Sequence, residues 1–227
     1  MIKNYSNKFL SVFFAGISKS PNVEILTTSM TKSNRKLLKK NANFLPKSLY
    51  DYYRSCDYIF FKWKPKKVMS KGAGSVELID LKVFLMGKED YHPDEYVLYG
   101  FENVEWTFYN KNGREKFSNL NGQFRVIDRF CAEGAIGFVE KDGEIDDILH
   151  YYGMEYELYS LNINFEGYFK LLCASYGYLY WQRVITYLEY GLGKVEHDNF
   201  KENMPKLFPT FSYDKFIELY ELLKIVD

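Results

Sequence analysis

The clearest periodicity in the chain lies in its C-terminal third. Phe165, Phe169, Leu172, Tyr176 and Leu179 recur at spacings of three and four, the period of a helix with one apolar face. Asn164 is a good N-cap, and the spacing predicts one long helix from Phe165, closed by Gly191 and Gly193. Its aromatic stripe reads as a set of core anchors lying against a sheet. A last helix is expected after Ser212, with Phe216, Leu219, Tyr220 and Leu223 on one face, and Pro205 and Pro209 mark a loop before it.

Upstream the pattern changes to short apolar and aromatic runs between turn residues. Tyr58 to Trp63, Ser75 to Leu85, Tyr96 to Tyr109, Phe124 to Asp128, Ala135 to Glu140, Ile145 to Tyr152 and Tyr156 to Leu161 all read as extended chain. Asn110-Lys111-Asn112-Gly113 is a hairpin turn, because Asn-Gly tolerates positive φ, and Lys141-Asp142-Gly143 bounds another strand. The strands from Phe124 onward form a meander. Pro46 suits the start of a short helix that carries Leu49, Tyr52 and Tyr53 and ends near Cys56. The polar, basic stretch Thr27 to Lys40 reads as an extension or a peripheral helix with a solvated face. A helix, many strands and then helices make an α+β pattern, a mostly antiparallel sheet with helices packed against one side.

Charge changes this picture more than composition does. The chain has 227 residues and zero formal net charge, with 21 Tyr and 19 Phe, so it is long enough for a ring-rich core. The charges are segregated. Residues 1–71 hold 15 Lys and Arg against 3 Asp and Glu, whereas residues 72–160 hold 8 against 18. The two parts either neutralise each other across the fold or leave charged faces for partners. Cys56, Cys131 and Cys173 are odd in number and flanked by apolar or aromatic residues, which points to reduced, buried thiols and a cytoplasmic protein. Lys3 and Lys8 before the apolar run Phe9 to Ile17 have the shape of a short secretory signal. Ser11 interrupts the run, however, and no small-x-small site follows cleanly. No run approaches the ~18 apolar residues of a membrane span.

Motifs of catalysis are absent from the sequence. His92, His150 and His197 are far apart, no two cysteines are close, and Gly72-Ala73-Gly74 lacks the Gly-Lys-Ser/Thr of a phosphate loop. No metal, no cofactor and no catalytic residue is therefore expected. The acidic group Asp142, Glu144, Asp146 and Asp147, with Glu155 and Glu157 nearby, lacks the ligand rhythm of a calcium loop. It reads either as a solvated turn or as a carboxylate surface that steers a basic protein partner. Those six residues are the candidate partner-binding set. The basic patch has no nucleic-acid motif, so a nucleic-acid role is not expected.

Several blocks together carry a family resemblance. Leu45-Pro46-Lys47-Ser48-Leu49-Tyr50-Asp51-Tyr52-Tyr53 resembles the leucine-proline and aromatic-helix opening of the SUKH superfamily. Phe124-Arg125-Val126-Ile127-Asp128 and Ala135-Ile136-Gly137-Phe138-Val139 resemble its central paired strands, and Phe165 through Gln182 resembles its C-terminal helix. The resemblance spans roughly residues 44–190. The first 40 and last 30 or so residues match no block, and Cys56-Asp57 stands where many members have an Asn-Gly turn.

This resemblance implies a single α+β domain over 44–227 with a basic extension over 1–43. It also implies a non-enzymatic immunity protein, a bacterial antitoxin that binds and blocks a cognate toxin, for example of nuclease type. The alternative it implies is a regulatory scaffold of the yeast cell-wall assembly regulator kind, bound to a signalling partner.

Overall fold

The computed structural model describes residues 5–66, 72–86, 105–110, 113–118, 124–131, 134–141, 143–153 and 157–225. Within them the chain forms α1 (Tyr5–Lys19), β1 (Val23–Thr31), α2 (Arg35–Lys40), α3 (Lys47–Tyr53), β2 (Tyr58–Pro65), β3 (Gly74–Leu78) and α4 (Leu81–Met86). There follow β4 (Glu105–Asn110), β5 (Gly113–Ser118), β6 (Phe124–Cys131), β7 (Gly134–Lys141), β8 (Glu144–Tyr152) and β9 (Glu157–Ser160). Four helices close the chain: α5 (Phe165–Ala174), α6 (Gln182–Tyr190), α7 (Lys194–Leu207) and α8 (Tyr213–Leu223).

The strands make one sheet in the order β1-β2-β3-β6-β7-β8-β9-β4-β5. Every pairing is antiparallel except β4 with β9. This is the expected α+β architecture with a mostly antiparallel sheet. The predicted hairpin at Asn110–Gly113 is present, with those two residues paired, and β6 to β9 form the predicted meander.

The helices gather on one face. Each contributes buried side chains to a single core, from Phe13 of α1 and Leu38 of α2 through Tyr168 of α5 to Phe200 of α7 and Phe216 of α8. The sheet answers with alternating residues such as Ile59, Phe61 and Trp63, the period-two pattern that puts one side of a strand on the core. On the opposite face Ala135, Val139, Tyr152 and Leu158 form a smaller cluster with Phe124 and Val126. Tyr52 of α3 meets Phe165 and Phe169 of α5 at centroid distances of 4.9 and 5.9 Å, so the aromatic helix and the aromatic stripe do pack together.

Four readings need correction. The long helix is two helices. α5 is capped at Asn164, whose side chain accepts the Gly167 N–H at 2.9 Å, but it ends at Ser175. Tyr176, Gly177 and Tyr180 then take φ of +53°, +62° and +66°. Tertiary partners hold this turn: Gly177 O accepts from Ser75 N at 3.0 Å, Ala73 O accepts from Leu179 N at 2.8 Å, and Tyr176 O accepts from the Trp63 indole at 2.7 Å. Those bonds replace the i to i−4 bonds of a continuous helix.

Ser75 to Leu85 is a strand only to Leu78, after which α4 begins, its Leu81 N–H held by the Asp57 carboxylate at 3.0 Å. Pro205 lies inside α7, not in a loop. Finally, Thr27–Lys40 is not a peripheral helix throughout. Its first part belongs to β1, paired with β2 from Val23↔Pro65 to Thr31↔Tyr58, and only α2 is helical.

Candidate interaction site

The six acidic residues do not converge as one cluster. Asp142 and Glu155 lie outside the described residues. Glu144 and Asp146 open β8 just after the β7–β8 turn, two residues apart and thus on the same strand face, and both are exposed. Neither carboxylate takes part in an ion pair or hydrogen bond among the described residues.

Asp147 has the opposite orientation. It is half-buried and accepts a hydrogen bond from Ser48 Oγ of α3 at 2.9 Å. Burial pushes its carboxyl upward, the Ser48 bond partly offsets this, and the Asp146 charge adds to the rise. Glu157 sits half-buried on β9 and accepts from the Tyr159 hydroxyl. The strand period therefore splits Asp146 from Asp147, and among the described residues of the set Glu144 and Asp146 remain as an open carboxylate pair at the hairpin.

Arg54 pairs with Asp51 and Lys64 with Glu24, both within the basic segment, while Lys62 of β2 acts electrostatically on the half-buried Glu77 of β3. Ser48 of α3 reaches Asp147 of β8, so the basic N-terminal part and the acidic strand meet in the fold.

The histidines serve packing. His150 is buried on β8 and His92 is outside the described residues. His197 on α7 stacks on Tyr187 at 4.2 Å, and its two ring nitrogens lie 2.8 Å from Asp198 Oδ1 and 2.6 Å from Tyr213 Oη. Among the described residues no group of three His, Cys, Asp or Glu is placed to hold a metal ion. The three cysteines are free thiols, Cys56 buried and Cys131 and Cys173 half-buried, and burial pushes Cys56 up to about 11 and Cys173 to about 12.

A polar network that sequence reasoning missed sits in the core. Asp128 of β6 is fully buried. Its Oδ1 accepts the Glu77 N–H of β3 at 3.0 Å and its Oδ2 accepts the Tyr168 hydroxyl of α5 at 2.6 Å. Tyr168 in turn accepts from Gln182 Nε2 of α6 at 3.0 Å. Burial raises the Asp128 carboxyl to about 6, against the lowering effect of the Tyr168 and Glu77 bonds. The network ties two strands to two helices and lies away from solvent, so its role is to fix how the α5–α6 layer seats on the sheet. Its only trace in the sequence was a lone Asp within an apolar strand.

A second network closes the C-terminal end. Asn162 Nδ2 donates to Glu189 Oε2 at 2.9 Å, Lys224 Nζ meets Glu189 Oε1 at 2.5 Å, and Ile225 N donates to Asn162 O at 2.8 Å.

No family model, curated protein or solved structure matches the chain.

Proposed function

We propose that this chain is a non-enzymatic partner-binding protein of the SUKH immunity type, an antitoxin that blocks a cognate toxin by covering it. The observation that carries this reading is the pair Glu144 and Asp146, exposed and, among the described residues, without an ion pair or hydrogen bond, at the end of a hairpin whose strands belong to the central sheet. A carboxylate pair on a rigid element is suited to a cationic target such as the phosphate-binding groove of a nuclease.

The test is a pull-down with the purified protein at low and high salt, followed by expression of each captured protein in a host with and without this chain. A captured protein that arrests growth, and whose effect this chain relieves, supports the proposal. Glu144→Lys with Asp146→Lys should then abolish relief while leaving the thermal midpoint unchanged. Relief that survives this double substitution removes the hairpin from the interface, and capture of a signalling enzyme without toxicity overturns the immunity reading.

A further inference from the structure

The opposite end of the sheet offers a different surface, independent of the acidic hairpin. β1 is an edge strand: it pairs with β2 on one side, and its other side ends the sheet. Residues Thr28 to Thr31 are all exposed, and none of the other described residues shields this stretch. Edge strands are normally guarded by lysine, proline or brevity. β1 runs Val-Glu-Ile-Leu-Thr-Thr-Ser-Met-Thr, nine residues with none of those guards. Its one irregularity is a bulge at Leu26, between Ile25↔Trp63 and Thr27↔Lys62. That leaves Thr27–Thr31 in unbroken register with β2, and among the described residues no strand lies beside the N–H and C=O groups that alternate residues of this stretch direct outward.

Two further observations say what suits this edge. The first is apolar exposure. Ile25, Leu26 and Met30 of β1 are 40%, 54% and 55% exposed, and Val12 on the adjoining α1 is 64% exposed. Half of the eight large hydrophobic side chains that the described residues leave exposed lie on these two neighbouring elements. Such a concentration marks a protein contact and not a polyanion groove. The second is charge. Lys62 and Lys64 stand opposite Thr27 and Glu24 in the β1–β2 register, Lys66 donates its backbone N–H to Asn22 O at 2.9 Å just before the strand, and Lys32 follows it directly. All four are exposed, and Glu24 is the only acid on β1, already paired with Lys64 at 2.9 Å.

We infer that β1 is an acceptor for strand addition, and that its occupant is an extended acidic polypeptide segment with apolar residues at alternate positions. Main-chain bonds to Thr27–Thr31 supply the pairing, every second side chain of the guest meets Met30, Ile25 or Leu26, and its carboxylates meet the lysines. A second copy of this chain is disfavoured in the same place, because pairing β1 with β1 brings two sets of these lysines together. A single-stranded nucleic acid would satisfy the lysines but none of the apolar side chains or backbone groups.

The experiment uses the full chain and a set of synthetic ten-residue peptides alternating Glu or Asp with Val, Ile or Tyr, titrated by fluorescence anisotropy. Control probes are the same peptides with Lys for the acids, the same peptides N-methylated at every second residue, and a single-stranded oligodeoxynucleotide. Binding by at least one acidic peptide is expected. It should weaken at least about tenfold on N-methylation, because strand bonds are lost, and fall as salt rises from about 50 to 500 mM. Amide hydrogen exchange should slow in residues 27–31 on binding. The Lys32→Glu with Lys66→Glu variant, altered only at exposed positions, should bind at least about tenfold more weakly with unchanged melting.

The inference is overturned by several outcomes. These are failure of every acidic peptide at millimolar concentration, binding that N-methylation does not affect, protection elsewhere than β1, tighter binding of the oligonucleotide, or concentration-dependent dimerisation that protects β1. None of these outcomes bears on the acidic hairpin, whose own test is the growth assay.

Discussion

Asp128 makes the stability of this protein depend on pH in an unusual direction. Its carboxyl ordinarily titrates at 3.8, and in the fold burial raises that to about 6. A raised carboxyl holds its proton in the folded state at pH values where the unfolded chain has released it. Stability from this group is therefore greatest below 3.8 and is lost as pH rises toward about 6. At about 1.4 kcal/mol per tenfold change in proton affinity, the full loss is about 3 kcal/mol. Between about pH 5 and pH 7 the same linkage gives a loss of about 1 kcal/mol.

The perturbation is Asp128→Asn, which keeps the shape, keeps an acceptor for the Glu77 N–H and removes the titration. Urea denaturation of both proteins at about pH 5 and pH 7 measures it. The native protein should lose about 1 kcal/mol more than the variant over that interval. Equal pH dependence of the two proteins would refute the assignment of a raised Asp128. A second variant guards against a poorly folding Asn. Tyr168→Phe deletes the hydroxyl that supports the ionised carboxylate at 2.6 Å, and should cost about 1–3 kcal/mol near pH 7 and less near pH 5.

Three other outcomes follow from the packing. Gly137→Ala would place a Cβ 2.4 Å from the Arg125 carbonyl oxygen in the paired strand, a backbone atom that has nowhere to go, so a loss of about 3 kcal/mol or more is expected in thermal or urea unfolding. Of the three cysteines, Cys56 and Cys173 should react slowly with a thiol reagent near pH 8, because burial raises both, and all three should react promptly in denaturant; fast native labelling of Cys173 would contradict its environment. Lys224→Ala should cost about 1–3 kcal/mol, read by denaturation, because it removes the cation paired with the mostly buried Glu189 carboxylate.

Local signals were legible in the sequence wherever the cause is local. Asn164 and Ser212 cap α5 and α8 through their own side chains, to Gly167 N and Lys215 N. Asn110 and Gly113 close a hairpin through backbone freedom, and the alternation in Tyr58–Trp63 buries Ile59, Phe61 and Trp63. These are decided by neighbours within a few residues. The class of fold, α+β with a mostly antiparallel sheet, follows from the order of such elements.

What the tertiary structure decided has its cause at long range. Tyr176–Tyr180 continues an apolar helical period, yet it forms a turn because Ala73, Ser75 and Trp63 engage its backbone from about a hundred residues away. Asp147 reads as a member of an acidic surface, yet Ser48 and the strand period draw it inward and leave Glu144 and Asp146 outside. Asp128 reads as a strand residue, and only the seating of α5 and α6 supplies its Tyr168 and Gln182 partners. The open edge of β1 was invisible for the same reason: a polar, basic stretch reveals its strand nature only when β2 pairs with one side of it. Periodicity and capping are properties of adjacent residues, whereas register, sheet edges and buried networks belong to residues that meet only once the chain has folded.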